Sequence, residues 1–291
     1  MGATAKTGIV PTMGETMTAR ETVTTAETMR TGTSRFRATP RVPAVLLVAS
    51  VLLPALLLTS CLPSGASRAD EHFDDPRTVE ILDAAGRGDV DRISELEAAG
   101  ADVDDPANDH DPRRANIPPL WFAIEFMTPG AVTALLDAGA DPAERHLDEY
   151  NAIGYAILRD KPEAIEAMLD HDPALANAPD RLGANALYTA VHLENRGAAE
   201  MLLDAGADID SRTTVQGLTP LFAASQTMQA DTCLWLVRRG ADAGIRDATG
   251  HTFLSPLFNA EDSTRTGSFL SDREELVGEL RERGFPVETG R

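Results

Sequence analysis

The sequence predicts an all-α solenoid of about six helix-turn-helix units, and three observations carry that prediction. The phrase Gly-Ala-Asp recurs at Gly100, Gly139, Gly206 and Gly240, with a degenerate Asp-Pro-Ala at Asp172. The spacings are 39, 33, 34 and 34 residues. A second landmark, Val79, Pro118, Asn151, Asn185 or Thr219, stands 21 residues ahead of each. Apolar pairs fill the second half of each unit. A period of this length marks units that cannot bury an apolar face alone and must stack on their neighbours.

The units follow in order. The first, Arg77 to Asp104, lacks a Thr-Pro start and carries Thr78, Val79 and Glu80 there, as suits an N-terminal cap. Its Gly-Arg-Gly-Asp-Val from Gly86 reads as the turn between two helices. The embedded Arg-Gly-Asp invites an adhesion reading, but a glycine is expected at that turn. Units two, three and four open with Pro-Pro-Leu-Trp-Phe-Ala from Pro118, Asn-Ala-Ile-Gly-Tyr-Ala from Asn151 and Asn-Ala-Leu-Tyr-Thr-Ala from Asn185. The fifth opens with Gly-Leu-Thr-Pro-Leu-Phe-Ala-Ala from Gly217 to Ala224. There Thr219 takes a cap position and Pro220 the first helical turn, where a missing N–H costs nothing. Ala123, Ala156, Ala190 and Ala224 let paired helices approach closely. Leu135 with Leu136, Met168 with Leu169, Leu202 with Leu203 and Trp235 with Leu236 supply the second helices. Gly139, Gly206 and Gly240 end those helices where the backbone turns left-handed. The sixth unit starts at Gly250, 33 residues after Gly217, and its charged last helix, Asp272 to Arg283, reads as a C-terminal cap.

Two departures from the period map to loops. About six extra residues fall in Asp104 to Asn116, and eleven fall around Asn259 to Ser271. Pro119 and Pro256 modify helix starts. Pro256, with Leu257 where alanine is expected, predicts a distorted last unit.

The fifth opening resembles the ankyrin-repeat phrase G-x-T-P-L-H-x-A, and Val132 to Asp141 and Ala199 to Asp208 match its second half. The resemblance covers roughly Asp75 to Val287. It implies an ankyrin-repeat solenoid with short β-hairpin loops, acting as a protein-binding scaffold without catalysis. The exposed positions in that family lie shortly before the Thr-Pro site and seven or eight residues after it. Here they fall on Arg114, Ile117, Glu125 and Phe126, then on Leu147, Asp148, Tyr150, Leu158 and Arg159. The fourth unit gives Arg181, Leu182, His192 and Leu193, and the fifth Val215, Gln216, Leu218, Gln226 and Thr227. Phe126, Tyr150, Arg159 and Arg181 are the residue types that dominate interface energies. Phe126 and Leu193 could equally pack against the adjacent unit.

Residues 1–34 read as disordered, or as the product of too early a start, with Met29 the better initiator. Residues 35–60 read as a signal peptide: Arg35, Arg37 and Arg41 precede an apolar run from Ala44 to Leu58. Leu58-Thr59-Ser60-Cys61 resembles the bacterial lipobox, which implies that Cys61 carries the lipid and begins the mature chain. Residues 61–75 then form a lipidated tether and residues 76–291 the repeat domain. An uncleaved membrane anchor and plain secretion are the alternatives. On the lipobox reading the protein sits in the bacterial cell envelope. It faces the periplasm from the outer membrane if there are two membranes, and lies on the cell surface if there is one.

Charge narrows the partners. Of 26 basic and 46 acidic residues, six and three lie in residues 1–60, which leaves 20 and 43 after Ser60, a net −23. Such a surface repels phosphate backbones, so nucleic acid is not a partner and membrane contact is through the lipid only. A basic protein partner fits, bound by a monomer. The acidity is also what solubility or a salt-adapted or GC-rich genome would produce.

No nucleophile elbow, P-loop, zinc-protease helix or dinucleotide fingerprint is present, and no cofactor or metal is assigned. The six histidines are spread singly. Asp104, Asp105, Asp109, His110 and Asp111 in the first insertion lack the glycine and terminal glutamate of a calcium loop. Cys233 reads as a small buried hydrophobe, with redox sensing as the sharper alternative. The leading expectation is a lipid-anchored binding scaffold. An inhibitor or immunity protein against an envelope toxin or hydrolase is its alternative. An enzyme or metal-dependent protein using the two insertions is the rival class.

Overall fold

The computed structural model describes residues 69–106, 117–145, 150–259 and 262–288. Cys61, Arg114, Leu147, Asp148 and most of the first insertion lie outside the described residues. Thirteen α-helices are described: α1 (Ala69–His72), α2 (Pro76–Arg87), α3 (Val90–Ala98), α4 (Pro119–Phe126), α5 (Pro129–Asp137), α6 (Ala152–Leu158) and α7 (Pro162–His171). Then come α8 (Ala186–His192), α9 (Arg196–Asp204), α10 (Pro220–Gln226), α11 (Ala230–Arg239), α12 (Ser255–Phe258) and α13 (Gly267–Glu282). Six successive pairs, α2 with α3 through α12 with α13, reproduce the expected units. No helix among the described residues is long and apolar enough to cross a membrane.

The first helices stack as one layer, α2 on α4, α4 on α6, α6 on α8, α8 on α10 and α10 on α12. The second helices stack beside them, α3 on α5, α5 on α7, α7 on α9 and α11 on α13. One apolar core runs between the layers, with Leu120, Leu135, Ile153, Ile165, Met168, Leu187 and Leu202 fully buried. Each such side chain contributes about 1.5–3 kcal/mol. Ala123, Ala156, Ala190 and Ala224 are likewise fully buried, so a larger residue at any of them would force two helices apart.

The recurring Asp after Gly-Ala has a local cause. The Asp102, Asp141, Asp208 and Asp242 carboxylates accept from the backbone N–H two residues on, closing an Asx turn after the second helix. The glycine before each turn is left-handed, at φ 105° for Gly139 and 107° for Gly240. A polar side chain further along the turn then reaches the next unit. Asp104 accepts from Asp141 N (3.1 Å), Asn177 from Asp208 N (2.7 Å) and Asp210 from Asp242 N (3.0 Å). Repetition therefore fixes both the turn and the register between units.

Five expectations are corrected. First, the described loops form no strand-paired hairpins; an isolated antiparallel bridge joins Arg246 and Thr252. Successive tips are instead joined singly, Thr214 N to Leu182 O (2.7 Å) and Ala248 N to Gln216 O (2.9 Å). Second, residues 69–75 are not free tether. Ala69 and Phe73 are buried, and the Phe73 ring lies edge-on to Phe122 at 5.3 Å, because an aromatic there has apolar surface to cover. Third, Thr219 is the N-cap of α10, as expected, but its side chain makes no cap bond. Asn151 does cap, accepting from Gly154 N at 3.0 Å, whereas Asn185 donates to Asp208 O and Asn177 Oδ1 in the neighbouring turns. Fourth, the last helix starts at Gly267, five residues before Asp272, with Thr266 accepting from Phe269 N as its cap. Fifth, Leu203 and Trp235 are only partly buried; Arg196 stacks on the Trp235 ring 3.7 Å from its centre. The distorted sixth unit is as expected: α12 is a single turn around Pro256.

Candidate functional site

In units three, four and five the first helix is seven residues long and ends in one exposed residue, Leu158, His192 or Gln226. The chain then reverses through Asp160, Glu194 and Met228, which hold φ of 52°, 60° and 64°. Left-handed backbone is costly for these residue types, and it turns the chain sharply into the second helix. The last side chains of the first helix therefore project beyond the stack.

Exposure of large apolar residues picks out these places. Among the described residues they are Leu158 (44%), Leu182 (42%), Leu193 (40%) and Val215 (85%). All four stand at positions expected from the repeat pattern, two at helix ends and two at loop tips. Arg159, Arg181, His192, Gln216 and Gln226 are also exposed. Leu193 therefore does not pack away against its neighbour.

Other expected positions are occupied by internal contacts. Arg159 forms a two-pronged pair with Glu125, Nε to Oε2 at 2.7 Å and Nη2 to Oε1 at 2.6 Å, bracing units two and three. The guanidinium holds the Glu125 carboxyl below the usual carboxylate range, and its own pKa rises in return. Lys161 Nζ adds a bond to Glu125 O at 2.9 Å. Phe126 is half-buried between Phe122 (4.9 Å) and His72 (5.5 Å). Ile117 packs against the core. Leu218 is 4% exposed, since its N–H donates to Thr213 Oγ1 (2.9 Å) and draws the chain inward before Thr219. Thr227 turns its hydroxyl back onto Ala223 O at 2.9 Å.

Between the loops and first helices of units three and four lies a cleft of about 260 Å³. Tyr150, Arg181, Leu182, His192 and Leu193, expected from sequence, line it together with Asp180, Tyr188 and Thr189, which the repeat pattern did not indicate. The missed signal is the spacing of Tyr188 and His192 on α8, four residues apart and so on one helix face. Their rings stack with centres 6.2 Å apart. Asp180 is buried at the cleft floor and accepts from Leu182 N (2.7 Å) and Thr189 Oγ1 (3.4 Å). Burial pushes its carboxyl up despite these bonds. Burial, and then the Asp180 charge, push the Tyr188 hydroxyl up as well.

Among the described residues no three His, Cys, Asp or Glu side chains stand close enough to hold a metal. Cys233 is fully buried with Sγ 3.9 Å from Leu221 O, and burial pushes its thiol far up, as for a packing residue rather than a surface thiol.

Comparison with known proteins agrees with this geometry. Residues 120–213 match the family described as ankyrin repeats in three copies, and residues 216–248 match a single ankyrin repeat. Protein PhlB of Serratia liquefaciens is 33% identical over 111 residues, 38% of this chain and 48% of that protein. The B-cell lymphoma 3 protein homolog of Mus musculus is 28% identical over 194 residues, 65% of this chain and 42% of that one. The chain thus spans less than half the length of either relative. The crystal structure of the Bcl-3 ankyrin repeat domain superposes with a TM-score of 0.55 at 23% identity, covering 71% of this chain and 87% of that one.

Proposed function

We propose that this chain, which carries ankyrin repeats in residues 120–213 and 216–248, is a protein-binding scaffold of the bacterial cell envelope, anchored by a lipid on Cys61. The observation that carries the binding reading is the set of four exposed apolar side chains, Leu158, Leu182, Leu193 and Val215. They stand on three consecutive units, beside the cleft between units three and four. Isolated exposed apolar residues are ordinary, but four of them gathered at the helix ends and loop tips of three consecutive units are surface kept for a partner. The anchor rests on the arginine-led apolar run and the Leu-Thr-Ser-Cys that ends it. An inhibitor of an envelope enzyme is the narrower form of the same reading.

The test uses the full chain as bait in an envelope extract. One stoichiometric protein should be captured, and the Leu158→Asp/Leu193→Asp double variant should lose it while keeping native helicity. Equal capture by that variant places binding elsewhere; turnover of a substrate by the purified chain sinks the scaffold reading. For the anchor, Cys61→Ser should abolish fatty-acid labelling and membrane retention. A variant that stays on the membrane would make the apolar run an uncleaved anchor.

A further inference from the structure

We infer that the cleft between units three and four takes a single cationic side chain, arginine or lysine, of the protein partner. This rests on the scaffold reading above and names the chemistry of the group that enters. The floor is Asp180, 7% exposed. Its carboxylate accepts from Leu182 N and Thr189 Oγ1, with the Ala184 and Gly183 N–H groups also acting on it, and among the described residues no ion pair to it is found. The walls are aromatic: Tyr188 stacks on His192 at 6.2 Å with 6° between planes, and the half-buried Tyr150 also lines the cleft. Leu182 and Leu193 form a 42% and 40% exposed rim.

A buried carboxylate beneath aromatic faces is a site for a cation with a long apolar stem, whose methylenes cross the leucine rim. The volume of about 260 Å³ suits one such side chain and no larger element. Arg181 also lines the cleft, but it is exposed. Water and salt screen its charge within about 10 Å, whereas the Asp180 charge acts through a poorly screened interior. The net −23 of the chain after Ser60 attracts a basic partner to the chain as a whole.

The experiment titrates the full chain, with tyrosine and histidine rings isotopically labelled, with N-acetyl-arginine methylamide, N-acetyl-lysine methylamide, the neutral norleucine analogue and choline. Saturable shifts at Tyr150, Tyr188 and His192 are expected with the arginine or lysine probe. A millimolar Kd is the scale for one side chain without the rest of its partner. Asp180→Asn should weaken that binding about tenfold, the range of one desolvated cation contact. Should Asp180→Asn fail to fold, the exposed His192→Ala, which also removes a ring from the wall, should weaken it by at least about threefold. The inference is overturned if no probe shifts those rings, if norleucine does so equally, if choline alone does, or if a folded Asp180→Asn binds normally. Failure here with Leu158 and Leu193 still needed for capture removes the cation subsite only. Loss of that requirement instead places partner binding elsewhere on the repeats.

Discussion

Replacing Asp104 by asparagine should stabilise the protein above neutral pH and leave it unchanged in acid. Both Asp104 carboxylate oxygens face the Asp141 N–H, at 3.1 and 3.3 Å, across the junction of units one and two. Burial outweighs that bond, and Glu144, Asp102 and Asp141 add like charge, so the carboxyl is pushed from 3.8 up to about 6. In full that displacement corresponds to about 3 kcal/mol. The group is only half-buried, and solvent screening reduces the figure to about 1 kcal/mol. The sign follows from proton binding. The folded state holds this proton more tightly than the unfolded chain, so stability falls as pH rises from about 4 to about 6 and then levels off. An amide keeps an oxygen acceptor without the charge. The third junction already uses this solution, since Asn177 accepts from Asp208 N at 2.7 Å. Thermal unfolding at pH 8 should show Asp104→Asn melting about 2–4 °C higher for a domain of this size, with no difference at pH 4. Destabilisation at pH 8 that is absent at pH 4 would refute the reasoning, because it would mean that the charge strengthens the bond to Asp141 by more than burial costs.

Three further outcomes are expected. Glu194 holds a left-handed φ of 60°, so Glu194→Gly should gain up to about 1 kcal/mol in urea unfolding, whereas Glu194→Ala should gain nothing. Arg159→Ala should cost about 0.5–1 kcal/mol at pH 7. The Glu125 carboxyl is held low by that arginine, so the deficit should shrink as pH falls through its depressed value; a deficit independent of pH would assign it to lost packing instead. The Cys233 thiol should resist a thiol-specific reagent in the folded chain and react fully after denaturation, and stoichiometric labelling under native conditions would contradict its placement.

The parts of the fold that were legible in sequence are those in which one residue type answers one local demand. Glycine at Gly139, Gly206 and Gly240 answers a left-handed turn, and alanine at Ala123, Ala156, Ala190 and Ala224 answers close helix contact. Pro256 likewise announced the shortened α12. What stayed hidden depends on partners distant in sequence. Nothing near Phe73 shows that it will meet Phe122, and nothing near Arg159 shows that Glu125, 34 residues earlier, will hold it. The cleft has the same character. Tyr150 and His192 were visible as repeat positions, but Asp180 is neither at a helix end nor at a landmark. It comes to the floor because Asp180 N bonds to Ala184 O (2.8 Å) and folds the loop back on itself.

Internal packing also limits where along the repeats a partner can bind. In unit two the end of the first helix is spent on the fold: His72 and Phe122 flank the Phe126 ring, and Glu125 is held by Arg159 and Lys161. In unit six α12 is one turn long, and Arg273 of α13 covers it, donating to Leu257 O (3.1 Å) and lying 4.5 Å from the centre of the Phe258 ring. The closed units thus flank units three to five, whose first helices run to full length and end in Leu158, His192 and Gln226. Stacked units repeat with a fixed step, so side chains at equivalent positions form a row with that same step. On the proposed binding reading that row is Leu158, His192 and Gln226, with Leu193 standing one residue past the end of α8. On that reading a partner that covers Leu193 also reaches the Asp180 floor, since both line the same cleft.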